Sequence, residues 1–403
     1  VLFGLAPAWQ ATKTNLNETL KEGGDKGAPG KGGRGLLRNG LVAAQLAIAT
    51  ILVIGAGVFV RSFIEILRAD LGIKPDGVMT MSLELPRDKY PEGEQRHNLY
   101  QQLLQHVEAL PGVAGSGVVD TLPMTGSYNS SRFQIVGQPP FEKGKEPLAE
   151  WRISTPGYFA AIGTELRKGR LFNAKDDAKA PRVMLVNEAF AARYLKGLDA
   201  VGQRVGFGDA KSGSSEIVGV VANVMNEDLD GLQEPGVYLP FAQSPSSRMT
   251  LVIRAPGAHM RIASAVRESL AALDPRLPLS EIKAMEQVVY ERRSPKEVMM
   301  WMLVVFAMMA LAMAAVGTYA VMAYAVAQRT HEIGVRMALG AIPADILKLV
   351  LRRGLSLVLL GVGVGLAGAF ALTRAVGGLL YKVTVTDPLT FAGVALMMLI
   401  VAT

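Results

Sequence analysis

Cysteine is absent from this chain of 403 residues. Its absence excludes disulfide bonds, a thiolate nucleophile and any metal site that uses sulfur ligands. Histidine is scarce as well: there are four, and only His97 and His106 share one predicted helix. They lie nine positions apart, which does not match the HExxH spacing of a helical zinc site. We therefore expect no metal and no other cofactor.

Two motifs of nucleotide binding and catalysis are also missing. Residues 27–33, GAPGKGG, look like a phosphate-binding loop, but a P-loop needs Gly, four residues and then Gly-Lys-Ser/Thr. Asp25 stands at the first glycine position and Gly32 at the hydroxyl position. No G-x-S-x-G nucleophile elbow occurs either. We therefore predict that the chain is not itself an enzyme and that any ATPase activity resides on a separate chain.

Charged residues are absent from three long stretches. Residues 41–60, 298–327 and 354–373 contain no Asp, Glu, Lys or Arg, and a fourth such run occupies 388–403. Crossing the hydrocarbon core of a bilayer takes about 20 apolar helical residues. The runs therefore predict a membrane protein whose α-helical transmembrane bundle has four spans, the last one truncated.

The second and third runs carry further information. The thirty residues of 298–327 would form a helix of about 45 Å, which exceeds a hydrocarbon core of about 30 Å. Part of this helix is therefore expected to tilt or to project beyond the bilayer like a stalk. Small residues allow close helix contacts in a membrane. Glycines expected to make such contacts are Gly55, Gly57, Gly317, Gly361, Gly363, Gly365 and Gly368.

The net charge of +7 is unevenly distributed along the chain. Residues 1–40 have six basic and three acidic side chains, and residues 328–353 have five and two. Residues 61–297 have 29 of each. An excess of Lys and Arg beside spans marks the cytoplasmic side, whereas nucleic-acid binding would require a basic stripe. We therefore expect no nucleic-acid partner, cytoplasmic segments at 1–40 and 328–353, and an outer domain between them.

The neutral stretch 64–297 predicts a large extracytoplasmic α/β domain. A strand, a helix and another strand follow one another near each end, giving βαβ-like units at 78–122 and 249–282. The two units are expected to close into an open-faced sandwich with helices on one face. Between them, about 125–245 is predicted to be an inserted subdomain with its own small core. Its expected strands are 133–136, 149–154, 183–187, 203–207, 216–224 and 237–241, and its expected helices 156–162 and 188–195.

A short charged segment, QRTHEIGVRMALGA at 328–341, separates the second and third apolar runs. Its charged residues fall on one helical stripe and its apolar residues on a neighbouring stripe, which predicts an amphipathic helix. Gly340 is a natural helix end, and Pro343 prevents the helix from continuing. Such a helix lies either among lipid headgroups or against a partner protein, and its periodicity alone leaves both open.

This segment closely resembles the cytoplasmic coupling segment of FtsX/MacB-type ABC transporter permeases, although Gln328 stands where that family often has Glu. In that family the segment docks on the ATPase. The resemblance therefore implies an ABC ATPase as a partner, with ATP bound by that partner. The residues that the resemblance assigns to ATPase coupling are Arg329, Glu332, Ile333, Gly334, Arg336, Gly340 and Ala341.

Further stretches extend the resemblance over essentially the whole chain. It implies one span, a MacB-like periplasmic core domain and three more spans, in a multi-pass protein of the bacterial inner (plasma) membrane. TDPLTFAGVAL at 386–396 resembles the lead-in to the last span of the family. The stretches that resemble the periplasmic core domain are TPGYFAAIGTELRKGRLF at 155–172, VNEAFAARYL at 186–195, VGQRVGF at 201–207 and EIVGVVANV at 216–224.

The function implied by the resemblance is that of a permease subunit in an ABC-type export or mechanotransmission system. Motion of the ATPase would pass through the coupling helix and the long second span to the periplasmic domain. That domain would act on a substrate or on a periplasmic or outer-membrane partner, and membrane lipid would surround the spans. An ATPase-independent membrane scaffold or sensor with the same fold remains an alternative, as does a membrane-anchored enzyme.

The N-terminal stretch LFGLAPAWQATKTNLNETLKEGG resembles the tail that closes the first module of the duplicated permeases abundant in acidobacteria. We therefore expect this chain to be the second module of a longer protein, with the first module as a partner. The predicted order is a cytoplasmic tail and Gly-rich linker at 1–40, a span at 41–63, the outer domain at 64–297, a span at 298–327, the coupling segment at 328–353, a span at 354–373, an outer loop at 374–387 and the start of a span at 388–403.

Overall fold

The structure is a computed structural model. It describes residues 33–127, 129–139, 141–142, 144–207, 213–225, 234–257, 259–328, 330–340, 342–375 and 388–401. The predicted N-terminal linker at 1–32 and most of the predicted outer loop, 376–387, lie outside these residues. The described chain divides into two compact units. One contains 33–54, 306–371 and 388–401, and the other contains 55–305 and 372–375.

Nine helices and eleven strands make up the described chain. The helices are α1 (Gly33–Arg68), α2 (Gly93–Glu108), α3 (Pro156–Ile162), α4 (Glu188–Tyr194), α5 (His259–Leu273), α6 (Met285–Ala327), α7 (Thr330–Ala338), α8 (Pro343–Ala375) and α9 (Pro388–Val401). The strands are β1 (Val78–Glu84), β2 (Gly115–Val119), β3 (Asn129–Ile135), β4 (Leu148–Ser154), β5 (Leu166–Gly169), β6 (Val183–Asn187), β7 (Arg204–Phe207), β8 (Ser214–Val221), β9 (Gly236–Pro240), β10 (Arg248–Arg254) and β11 (Leu279–Ala284).

Two βαβ units, β1-α2-β2 and β10-α5-β11, interlock in one antiparallel arrangement with the strand order β11-β1-β10-β2. Alternate residues of β1, such as Met81 and Leu83, face the two helices, as period-two alternation requires. α2 and α5 pack on this face through the apolar stripes that contain Leu103 and Val266. This is the split βαβ arrangement, in which each helix returns the chain to a strand that is not a neighbour of the first.

The opposite face of this sheet is covered too, so the expectation of helices on one face is wrong. Val78, Val119 and Val252 face the short helix α3, in which Tyr158 and Phe159 are fully buried. A Cβ on Gly117 of β2 would lie 2.2 Å from the backbone nitrogen of Tyr158, so only glycine admits α3 this closely. The inserted stretch has its own core around Phe133, as expected, and it also contributes α3 to the core of its neighbour.

The remaining strands of the insertion form a closed ring. β4 pairs with β3, β3 with β7, β7 with β8, β8 with β6, β6 with β9, and β9 again with β4. A sheet that closes on itself leaves no free edge within the ring. We call this six-stranded ring the barrel. β5 was not predicted, because Leu-Arg-Lys-Gly has no apolar alternation. It is not one of the six strands of the ring and pairs only with the last residues of β8.

Aromatic packing fills one end of the barrel. Phe133 of β3 is 1% exposed, and its ring centroid lies 4.9 Å from those of Phe190 and Tyr194 in α4. α4 directly follows β6, and its first turn is capped by the side chain of Asn187, which accepts a hydrogen bond from the Phe190 amide. The helix therefore sits across the end of the barrel where β6 finishes.

Three helices are long and apolar enough to cross a membrane. They cover Asn39–Arg68, Met285–Tyr324 and Gly354–Arg374. The fourth apolar helix, α9, has 14 residues, which is fewer than the roughly 20 needed to span. Two threonines within the spans make their hydrogen bonds inside their own helix: the Thr50 hydroxyl donates to the Leu46 carbonyl, and the Thr318 hydroxyl donates to the Ala314 carbonyl.

α6 is longer than the sequence indicated. The apolar run 298–327 was expected to form the helix, but the residues from Met285 onward join the run in one helix of 43 residues. Such a helix measures about 64 Å, roughly twice the hydrocarbon thickness. It contains Pro295, which cannot donate the helical bond to the Glu291 carbonyl, yet the helix continues through it.

Glycines on α8 mark where it packs on α1. A Cβ on Gly361 would lie 2.6 Å from Leu46 Cβ, and one on Gly365 would lie 2.6 Å from Thr50 Cβ. Gly317 of α6 is equally close to Gln45 of α1, so close packing is its role. Gly363 and Gly55 make no such contact with the described residues, because an added Cβ would meet none of their atoms within 4 Å.

A buried aspartate ties the two βαβ units together. Asp274 follows α5, and its carboxylate accepts hydrogen bonds from the Lys89 ammonium and, at 2.8 Å, from the Tyr90 hydroxyl, both in the loop before α2. These two donors, Lys89 first, lower the pKa of Asp274 to about 2. Charge-assisted bonds of this kind stabilise the ionised form of a carboxyl group.

We expect Phe133→Ala to destabilise the barrel by about 3–5 kcal/mol, because it removes a large buried ring and leaves a cavity. The measurement is the urea midpoint of the full chain in nanodiscs, followed by tryptophan fluorescence. Leu198→Ala is the control, since Leu198 is 51% exposed. Equal midpoints for the two variants would show that the ring is not part of a cooperative core.

We expect Asp274→Asn to lower the thermal midpoint in a pH-dependent way. The pKa of an unfolded aspartate is about 3.9, so the stabilisation by Asp274 is complete above about pH 4 and lost as the pH falls towards 2. The difference in thermal midpoint between wild type and variant should therefore shrink over that window. Asp88→Asn, in the same loop, is the control; a difference that stays constant down to pH 2 contradicts the assignment.

Candidate functional site

The short helix α7 stands between the two long helices α6 and α8, and hydrogen bonds define how the chain enters it. The Gln328 amide donates to the Tyr324 carbonyl at 3.0 Å, which continues the α6 ladder by one residue. The Gln328 side chain donates to the Tyr324 hydroxyl at 2.8 Å, and the Thr330 hydroxyl donates to the Ala327 carbonyl at 2.9 Å. These bonds hold the start of α7 against the end of α6.

The end of α7 matches the sequence expectation. Gly340 has φ +96°, a left-handed conformation that residues with a side chain rarely adopt. Its amide donates to the Met337 carbonyl at 3.1 Å, and the Leu339 amide donates to the Val335 carbonyl at 3.0 Å. Pro343 then opens α8, where a missing N–H costs nothing. Glycine and proline together make the reversal between α7 and α8 sharp.

Apolar side chains on and beside α7 lie on the surface. Val335 is 47% exposed, Met337 49% and Leu339 82%, and Ile342 in the following turn is exposed as well. Exposed apolar groups at this density on one short helix indicate contact with lipid or with another protein. The exposed basic residues Lys348 and Arg352 lie one turn apart on the following helix, which favours a contacting surface with negative charge.

Small residues form a shallow depression along α7. Thr330, Gly334 and Ala338 repeat every four residues, and together with Val335 they line this depression. A Cβ on Gly334 would meet nothing within 4 Å, so nothing in the described part of the chain requires glycine there. The depression therefore offers space for a ridge from outside the chain.

The residues that the sequence assigned to coupling divide into three groups. Ile333 is half-buried, Gly334 and Arg336 are exposed, and Gly340 ends the helix. Glu332 belongs to α7, but its side chain is outside what the structure describes, and Arg329 and Ala341 lie outside the described residues altogether. Thr330 and Val335 were not assigned, although the four-residue spacing of Thr330, Gly334 and Ala338 was a signal that the sequence contained.

α7 offers an exposed surface of apolar, small and basic residues, and in the described ranges no three His, Asp or Glu side chains are placed to hold a metal ion. The arrangement is suited to docking against a partner surface.

Two family models match the chain. The model described as the MacB-like periplasmic core domain matches residues 40–270, and the model described as the FtsX-like permease C-terminal matches residues 304–403. The second match contains α7, and the first contains the barrel and most of both βαβ units.

Several known proteins are similar to this chain. The macrolide export ATP-binding/permease protein MacB of Escherichia coli is 24% identical over an alignment of 357 residues that covers 81% of this chain and 48% of that protein. The probable syringafactin export ATP-binding/permease protein SyfD of Pseudomonas syringae pv. syringae is 23% identical over 54% of this chain and 34% of its own length. This chain thus spans about half the length of the first relative and a third of the second.

Among solved structures, the periplasmic region of MacB from Actinobacillus actinomycetemcomitans aligns with a TM-score of 0.38 and 17% identity, covering 56% of this chain and 97% of that one. The two family models confirm the resemblance seen in the sequence, and the first alone matches more than half of the residues. The chain therefore belongs to the FtsX/MacB-type family of ABC transporter permeases, as a multi-pass inner-membrane protein with a MacB-like periplasmic core domain.

Proposed function

We propose that this chain is an export permease that transmits the motion of a separate ABC ATPase from α7 to the periplasmic domain. The observation that supports this most directly is the exposed surface of α7, with Val335 and Leu339 uncovered and a depression at Gly334. Family membership implies an ABC-type transporter component. Export is proposed because the relatives in Escherichia coli and Pseudomonas syringae are named as export ATP-binding/permease proteins.

The coupling residues in this proposal are Arg329, Glu332, Ile333, Gly334, Arg336, Gly340 and Ala341. Gly334 would admit a ridge of the ATPase, and Gly340 would set the direction in which the chain leaves α7. Arg336 would contribute to a contact with acidic groups. ATP would be bound by the partner alone.

α6 provides the mechanical element of the proposal. It runs as one helix from Met285, directly after β11, to Ala327, and two residues separate its end from the start of α7 at Thr330. The backbone hydrogen bonds of this helix resist bending along its length, except at Pro295, where one of these bonds is missing. Displacement of α7 would therefore reach the first residues of α6, where Met285 and Val289 are buried in the periplasmic core.

Other partners follow from the same proposal. Lipid would cover the apolar surfaces of the spans, and the periplasmic domain would act on an export substrate or on a periplasmic or outer-membrane protein. A first permease module would complete the transport unit. If α7 contacts lipid only, the alternative of a membrane scaffold or sensor without an ATPase takes the place of this proposal.

We expect a photo-crosslinking benzoylphenylalanine at Leu339 to capture an ABC ATPase, identified by mass spectrometry, in cells that express the chain with its genomic neighbours. Gly334→Trp should abolish this crosslink, because the indole fills the depression, while membrane insertion is unchanged. Gly363→Trp is the matched control, since an added Cβ is equally unobstructed there. Crosslinks to lipid alone, or an ATPase crosslink that survives Gly334→Trp, would count against docking on α7.

The absence of native cysteine makes a second test clean. We expect Leu198→Cys in the periplasmic domain to react with a membrane-impermeant maleimide in spheroplasts, because Leu198 is exposed. Leu339→Cys should react only after the membrane is permeabilised, since basic flanks retain α7 in the cytoplasm. Labelling of both positions from the same side of the membrane would contradict the proposal, which requires them to lie on opposite sides.

A further inference from the structure

The first residues of α6 are fixed to the periplasmic core. Met285, Val288 and Val289 are buried in it, each with an exposure of 7% or less. The Glu286 carboxylate accepts a hydrogen bond from the Gly77 amide at 2.9 Å, which ties the first turn of the helix to the residue before β1. We call residues 285–293 the anchored part of α6.

Polar contacts extend the anchored part as far as Arg293. The Lys283 ammonium of β11 pairs with the Glu291 carboxylate at 2.7 Å, and the Gln287 side chain donates to the same carboxylate at 2.9 Å. The Arg293 guanidinium donates to the Ile66 carbonyl, in the last turn of α1, at 3.4 Å. These bonds connect this stretch of α6 to two other elements, β11 and α1, in addition to its apolar burial.

Pro295 follows two residues after the anchored part. Because proline has no N–H, it cannot supply the helical bond to the Glu291 carbonyl, and its ring crowds that carbonyl. A proline inside a helix is less favourable than an alanine by about 3 kcal/mol. Pro295 is exposed, so burial of its ring in a core does not offset this penalty. Its main effect is therefore on the backbone, where a missing bond makes bending easier.

The packing of α6 changes at this proline. Val298, Trp301, Met302 and Val305 are each more than half exposed. Met300 is the one buried side chain among residues 296–305, all of which the structure describes. The helix is thus closely packed before the proline and sparsely packed just after it, so the missing backbone bond lies where few side-chain contacts oppose a change of direction.

We propose that Pro295 is a hinge in α6, at which the helix beyond it swings relative to the anchored part. Hinges are commonly a few residues that absorb a change of backbone dihedral angles between two rigid parts. The swing itself requires no ATPase. Its use rests on the proposed function: motion that arrives along α6 would change the angle at Pro295 and would reach the core through the anchored part.

The test measures the distance between two spin labels on α6 by double electron–electron resonance, with the full chain in nanodiscs. The chain has no cysteine, so the labels attach only to introduced ones. Tyr290→Cys and Met308→Cys place labels before and after Pro295, at exposed positions 18 residues or five full turns apart. In a straight helix their Cα atoms are about 27 Å apart.

The two labels lie on a side of the helix that is sensitive to the hinge. Tyr290 is about 140° around the helix from Pro295, and Met308 shares the side of Tyr290. The proline ring opens the helix on its own side, so bending brings the two labels closer together. A swing of about 20° changes their separation by about 2 Å, because side chains reach about 6 Å from the helix axis.

We expect Pro295→Ala to narrow the distance distribution of this pair by about 2 Å and to move its maximum to a longer distance, because alanine restores the backbone bond. Trp301→Cys with Tyr319→Cys is the matched control pair. These positions are also exposed and 18 residues apart, but the helix between them contains no proline. Their distribution should be the same with and without Pro295→Ala.

Narrowing that is confined to the pair spanning Pro295 supports the hinge. A distribution that is equally broad in Pro295→Ala would overturn it, because the breadth would then arise elsewhere. A distribution that is as narrow as the control before the substitution would overturn it too, even with a shorter maximum, since that result describes a fixed kink.

This measurement contains no ATPase, so its outcome is separate from that of the proposed function. Failure of the benzoylphenylalanine at Leu339 to capture an ATPase would contradict docking on α7 and leave the hinge intact. Unchanged distance distributions in Pro295→Ala would contradict the hinge and leave docking on α7 intact.

Discussion

Backbone hydrogen bonding in an apolar medium is the constraint on which the rest of this structure depends. A peptide group without a partner is costly inside a bilayer, so each uncharged run has to form a helix. In α6 the same bonding continues beyond the uncharged residues, back to Met285. The helix therefore begins among the buried side chains of the periplasmic core and ends at Ala327, with two residues between it and Thr330, where α7 starts. One element with one bonding pattern thereby connects the two ends at which the function is proposed.

Close packing holds the helices where hydrophobic burial contributes little, because lipid tails are as apolar as the side chains. Gly361 and Gly365 bring the α8 backbone onto α1, and Gly317 brings α6 onto Gln45 of the same helix. Gly363 lies on the same helix as the first pair but faces open space. The direction in which each glycine faces, rather than its presence in the sequence, decides whether it contributes to packing.

The periplasmic domain depends on a strand that faces two environments. Ala149 and Trp151 of β4 pack in the barrel core, Ile153 packs in the core of the βαβ sheet, and Arg152 on the other face of the strand is 2% exposed. An arginine this deeply buried needs a partner, and its guanidinium donates to the Glu150 carboxylate at 3.1 Å. β4 also touches the split βαβ sheet through the pair Val119 and Ser154. β4 thus joins the barrel, which has its own core, to the βαβ sheet in one continuous sheet.

The sequence by itself determined the elements that depend on a local period: the apolar runs, the stripes of α2 and α5, the strands β1 and β10, and the glycine end of α7. Within one segment, the spacing of apolar residues decides which face is buried. Only the tertiary structure decided that six strands close into a barrel, that α3 covers the second face of the sheet, and that small side chains such as Ser131 and Ser215 leave a cavity at the end of the barrel opposite α4. These features depend on pairs far apart in the chain, such as Trp151 with Val237 and Leu185 with Tyr238, and no local period specifies which strands will meet.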